Sequence, residues 1–272
     1  MGVQAKAEKD ELGWVSPVVV RTWQMHARRV ADIFDNREPT TPVYLNGLMA
    51  GRSHGLWGTN EPDPLSAPDE WLDDVFRDME RNAAAAADPH TFRPFVVEID
   101  PFGTHYIDAL FGAPVRYHEG QAWSEELQCD VKDLAVPRIE ENPILSASLR
   151  LARRAVERTR GRVWIANPVL RCPMNIGTNL FGSRLLEAMH VLPDAAGRAL
   201  RIIADVIARC MRAFQAVIPA AQRLNSVGAS RSTPPGRGFI DGCATQLVSA
   251  RHYRSFLHRW MRLCWHSTRG QG

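Results

Sequence analysis

The chain has 272 residues, 45% of them hydrophobic, which suits one large domain or two small ones. No apolar run approaches the roughly 20 residues that span a membrane, and the polar opening MGVQAKAEKDELGW has no signal-peptide pattern. The net charge of +3 hides an asymmetry, with 12 Lys and Arg against 23 Asp and Glu in residues 1–136, and 21 against 7 in residues 137–272.

In chain order, residues 1–16 are expected to be a disordered tail. A first amphipathic helix is expected over Val18–Phe34, then a strand at Pro42–Leu45. A helix runs from Pro68 through Ala83–Ala87, opened by Asp69 and Glu70 as the helix dipole prefers. The apolar run Phe95–Ile99 reads as a strand that ends at Asp100, turns at Pro101 and Gly103, and enters a short helix reaching Gly112. Pro143–Arg160 is the next helix, apolar at Ile144, Leu145, Leu149, Leu151 and Val156. Its other face, Arg150, Arg153, Arg154 and Arg158, reads as solvated rather than as a binding patch. A strand at Arg162–Ala166 precedes helices over Thr178–His190 and Pro193–Val217, the latter started by Pro193 and Asp194. Strands at Arg223–Val227 and Gly238–Asp241 flank the loop SRSTPPGRG, and the last helix begins near Ser249.

This alternation predicts an α/β protein, a parallel sheet with helices outside, of the (β/α)8 TIM-barrel type. A closed barrel needs eight strands and the sequence supplies about five, so the barrel is expected to be incomplete at its C-terminus. The final LHRWMRLCWHSTRGQG, residues 257–272, has no acidic residue and no apolar periodicity leading to another strand. It is expected to be an aberrant tail outside a domain spanning 17–256. There is no GxGxxG after a strand, no GxxxxGK[ST] and no GxSxG, which weakens nucleotide-binding and hydrolase readings. The basic, Arg-rich second half suits nucleic acid or a polycarboxylate, but no nucleic-acid motif accompanies it, and in a barrel the two halves neutralise each other. The five cysteines are scattered and odd in number, as expected of reduced thiols in a cytoplasmic protein.

Asp100 is the leading site candidate. A buried strand that delivers a carboxylate to a strand-to-helix loop is how a parallel barrel builds an active site. The alternative is that Asp100 caps the helix after Pro101. His105 and Tyr106 either face the mouth as polar or acid–base groups or sit on the helix surface and in the core. Asn175 either presents its amide to a ligand or caps a helix, and His54 lies in a glycine-bounded loop. Trp57, Trp71, Trp123 and Trp164 are expected as core or lid packing.

Four segments together resemble the uroporphyrinogen decarboxylase superfamily, α/β barrels that include the haem-pathway decarboxylase and methyltransferases acting on corrinoid-carried methyl groups. They are PVYLNGLMAGR (Pro42–Arg52), the Asp100 strand, NPVLRCPMNIGTNLFGSRLLEAMHVLP (Asn167–Pro193) and FIDGCATQLVSARHYRSF (Phe239–Phe256). The resemblance implies a barrel whose mouth binds a small-molecule carboxylate or tetrapyrrole-type substrate. It makes Asp100 and Arg52 the catalytic pair and brings in Asp241, which joins His105, Tyr106 and Asn175, chosen from their positions, as expected substrate-binding residues. Decarboxylation would need neither metal nor organic cofactor. The match is partial. Leu48 stands where the decarboxylase has its first loop arginine, Thr178 or Asn179 where it has a tyrosine, and Gly242 where it has a serine. Its C-terminal histidine lies beyond the end of this chain. The alternative branch implies a corrinoid-dependent methyltransferase using zinc with thiolate and imidazole ligands, for which Cys264-Trp265-His266 runs in reverse order. A third expectation is an inactive remnant. Neither nucleic acid nor membrane is expected as a partner, and a homo-oligomer is compatible with all three.

Overall fold

The computed structural model describes residues 12–35, 37, 63–87, 95–118, 121–224 and 242–262. The expected strands at 42–45 and 238–241 lie outside these residues, as do Arg52, His54, Trp57, Asp241, Cys264 and His266. Among the described residues the parallel sheet has three strands, β1 (Val96–Glu98), β4 (Trp164–Ala166) and β5 (Arg223–Leu224), in the order β1-β4-β5. The register pairs Val97 with Ile165 and Glu98 with Ala166, and Ile165 with Arg223. The architecture is therefore α/β, and a closed barrel is not shown.

β1 and β4 separate two apolar groups. Val97, Ile99, Val163 and Ile165 join the main core, whereas Val96 and Ala166 form a second cluster with Trp164. Strand periodicity places Glu98 and Asp100 on the same face as Val96, turned away from the helix-packed core.

The helices covering the sheet follow the sequence closely. In α1 (Pro17–Phe34), Ser16 accepts the Val19 N–H as N-cap and Pro17 occupies the first turn. Residues Leu12 and Val15, assigned to a disordered tail, are instead buried in the core. They are apolar residues just before a capped helix, where such side chains fold back onto it. The expected helix from Pro68 divides into α2 (Pro68–Arg81) and α3 (Ala83–Ala86), because the Asn82 side chain donates to the Asp78 carbonyl at 2.8 Å and competes with the helical ladder. In α5 (Pro143–Thr159), Asn142 caps Ile144 and Leu145. Its arginine face is not simply solvated. Arg158 is 8% exposed, donates to the Asp69 carbonyl at 2.9 Å, pairs with Asp73 and stacks 5.0 Å above the Phe76 ring, while Arg154 donates to Asp69 at 2.6 Å. The acidic first half and basic second half do neutralise each other along this α2–α5 seam.

The segment expected as one helix over 178–190 is two, α6 (Pro173–Phe181) and α7 (Ser183–Val191). Gly182 breaks it with φ of +57°, and a Cβ there would run into the Glu126 carboxylate. α8 (Pro193–Val217) packs against α5, α6 and α7, burying Leu200, Ile203, Ile207, Met211 and Phe214. Arg223 crosses back to donate to the Gln215 and Ile218 carbonyls at its C-terminal end.

The strands after the short helix reaching Gly112 were not anticipated, whereas the last helix starts after Ser249 as expected. An antiparallel hairpin pairs β2 (Val115–His118) with β3 (Gln121–Ser124) after α4 (Tyr106–Leu110). At the other end, α9 (Ala250–His252) continues through a π turn (Tyr253–Leu257) and a further helical turn to 262. Leu257 is fully buried there, and Trp260 and Met261 pack on the core, so residues 257–262 extend the domain that was expected to end at Phe256. Among the described residues, no helix is long and apolar enough to cross a membrane.

Candidate functional site

Asp100 follows β1 at its C-terminal end, where parallel-barrel proteins place reacting groups. Its carboxylate does not cap the next turn: the 3-10 turn Gly103–His105 has no side-chain cap. The side chain is buried, and Val169 N–H donates to Oδ1 at a long 3.5 Å. Burial pushes the carboxyl from 3.8 up to about 7, and the Val169 bond offsets this only partly. Tyr117, from the hairpin, donates its hydroxyl to the Pro101 carbonyl at 2.7 Å. Its phenol is held protonated by burial, and then by the nearby charges of Asp100 and Asp63.

Gly103, with φ of +55°, lets the loop reverse into α4. The three-residue spacing of His105 and Asp108 then puts both on one helix face. Asp108 is fully buried and three donors converge on its Oδ2: His105 Nδ1 at 2.7 Å, Asn179 Nδ2 at 2.7 Å and Ser124 Oγ at 3.1 Å. These come from the β1 loop, α6 and β3, so one carboxylate ties three separate segments. Among the described residues Oδ1 is buried without a partner. Ser124 bonds the carboxylate and not the imidazole, so this is not a serine-nucleophile triad.

The other expected ligands divide. Tyr106 is not at an opening. It is fully buried, its ring stacked edgewise on Phe214 at 6.3 Å, and burial together with the neighbouring Cys210 holds its hydroxyl well above the usual phenol range. One helical position from His105 turns a side chain about 100°, which sends Tyr106 into the core. Asn175 is buried at the start of α6 and acts as a clasp. Its carbonyl accepts the Ala244 N–H at 2.8 Å, and its amide donates to Cys243 Sγ at 3.1 Å. It also lines a cavity of about 220 Å³ with Arg171, Thr178, Asn179, Cys243 and Gln246. Asn179 therefore links that cavity to Asp108. Arg171 donates to Cys243 Sγ at 2.9 Å. Trp71 is core, Trp164 borders the second cluster, and Trp123 is 57% exposed on the hairpin rather than packed.

Sequence reasoning did not single out Asp108, Ser124 or Arg171. The readable signal for Asp108 was His-x-x-Asp directly after a strand-end turn. Nothing local marked Ser124 or Arg171, whose partners lie far away in the chain.

Among the described residues, no group of three or more His, Cys, Asp or Glu side chains could hold a metal ion. Cys243 has an arginine and an amide as neighbours, and Cys172 bonds the Asn175 carbonyl at 3.3 Å. Neither cysteine belongs to a metal-binding group among the described residues, and Cys264 and His266 lie outside them.

No protein-family model matches the chain, and no curated protein does. Among solved structures, a methyltransferase from Methanosarcina mazei superposes with a TM-score of 0.59 at 13% identity, over 89% of this chain and 67% of that one. At this identity the likeness shows the fold, which this chain shares with that methyltransferase.

Proposed function

We propose that the chain is a methyl-transfer protein of the uroporphyrinogen decarboxylase superfamily type. Its substrate sits at the C-terminal ends of β1 and β4. The observation that carries this reading is the buried strand-end carboxyl Asp100, five residues before the Asp108-bound His105, on a fold like that of a methyltransferase. A buried carboxyl held near neutrality exchanges a proton at physiological pH, which suits the proton exchange that accompanies methyl transfer to an acceptor carrying O–H or S–H. From the resemblance, Arg52 and Asp241 join the site, Arg52 pairing with an anionic substrate group. A corrinoid serves, in this reading, as carrier of the methyl group.

Asp100 also sustains a second reading, cofactor-independent decarboxylation, in which a strand-end carboxylate accepts pyrrole N–H bonds and stabilises positive charge on the protonated ring. Two assays on the full chain separate them. With methylcobalamin and 2-mercaptoethanol, protein-dependent loss of the methylcobalamin spectrum is expected, and Asp100→Asn should slow it at least about 100-fold. With uroporphyrinogen, chromatography should show unchanged substrate. Appearance of coproporphyrinogen, with methylcobalamin untouched, would replace the first reading by the second.

A further inference from the structure

The geometry points to His105 as a base of the site, oriented by Asp108, that takes the proton which a zinc ion would otherwise displace from the methyl acceptor. This rests on the methyl-transfer reading, but its physical core stands on the side chains alone. Asp108 Oδ2 accepts at 2.7 Å from Nδ1, which makes Nδ1 the N–H nitrogen and leaves the lone pair on Nε2. Nε2 has no hydrogen-bond partner among the described residues, whose contacts to this ring are both at Nδ1. The Asn179 amide, 3.4 Å from Nδ1, directs one of its two N–H groups to Asp108 at 2.7 Å, and a protonated Nδ1 has no lone pair to accept the other.

Asp108 is a costly group to keep: fully buried, with Oδ1 unpartnered among the described residues. Helix packing alone is met more cheaply by an apolar residue at such a place. A carboxylate behind an imidazole, itself fixed by a serine and an asparagine, is what holds one tautomer and stabilises the imidazolium formed on proton uptake. In the step, the acceptor's electron pair forms the bond to the methyl carbon, and the pair of the broken bond leaves with the donor group. The acceptor's proton goes to Nε2. His105 thereby supplies acceptor activation from a residue set with no second or third metal ligand among the described residues. The cavity beside Asn179, with Arg171 and Gln246 on its wall, is of a size for a small thiol or alcohol acceptor with a polar end.

The test needs no substrate. Long-range 1H–15N spectra of the full chain at neutral pH should show His105, assigned by its loss in His105→Gln, as the Nδ1–H tautomer in at least about 10-fold excess. In Asp108→Asn that excess should vanish, and carbethoxylation of His105 by diethyl pyrocarbonate should slow about 10-fold. A wild-type His105 in the Nε2–H form overturns the proposal, and that spectrum decides even where Asp108→Asn does not fold. An unreactive wild-type His105, with other histidines modified, overturns it equally. Loss of methyl transfer with the tautomer intact sinks the functional reading and leaves the oriented base standing.

Discussion

Two buried carboxylates eight positions apart have opposite surroundings. Asp100, at the strand end, has one long backbone donor among the described residues and is pushed up to about 7 by burial. Asp108, one helical turn beyond the loop, draws three donors from three segments onto a single oxygen. Burial is common to both, so the difference lies in which neighbours the fold supplies. A carboxyl without donors is a proton reservoir, whereas one with donors is a scaffold for the groups that donate. The same short stretch of chain therefore holds a group that gains or loses a proton and a group that aims another side chain.

The largest test of that contrast is Asp100→Asn. Because the folded value, about 7, lies above the ordinary 3.8, the folded protein keeps this proton while the unfolded chain loses it. Stability present at low pH is thus lost as pH rises from about 4 to about 7. The variant should exceed wild type by up to about 4 kcal/mol at pH 8, with the gap closing towards pH 4, as measured by urea unfolding. A gap that does not vary with pH would show that Asp100 is solvated. Asp108→Asn should act in the opposite direction and destabilise by about 3 kcal/mol, since an amide sets its own N–H groups against three donors. Equal stability of the two asparagine variants would erase the distinction between the carboxylates. Ser124→Ala removes one donor of the three and should cost about 1 kcal/mol, leaving the His105 tautomer in place. The smallest effect is expected for Tyr117→Phe, which frees the Pro101 carbonyl to water at about 0.5 kcal/mol; calorimetry detecting more would give the hairpin a larger part in holding the Asp100 loop.

Local signals were read correctly where they were sufficient. Pro193 with Asp194 marks a helix start, and that helix forms where expected; the helices expected from Val18 and Pro143 form as well, with caps, Ser16 and Asn142, that the sequence reading did not single out. The run Phe95–Ile99 was legible as a strand and Asp100 as its terminal carboxylate. The hairpin was missed although Glu119-Gly120 lies between alternating segments, a two-residue hairpin pattern. Gly182 was read through as helix because an isolated glycine costs a helix only about 1 kcal/mol, which tertiary packing overrides in either direction. Here the Glu126 side chain filled the space, and that contact spans 56 residues of sequence.

By itself, then, the sequence determined the alternation of elements, the covering helices, and the delivery of a carboxylate to the end of a buried strand. These depend on periodicity, caps and composition, which act over a few residues. Only the tertiary structure decided which of the neighbouring polar side chains share a site. Tyr106 left for the core, Asn175 became a clasp, and Asp108 gathered His105, Ser124 and Asn179. Hydrogen bonds and desolvation act over a few ångströms, and the residues they join here lie as far as 71 positions apart along the chain.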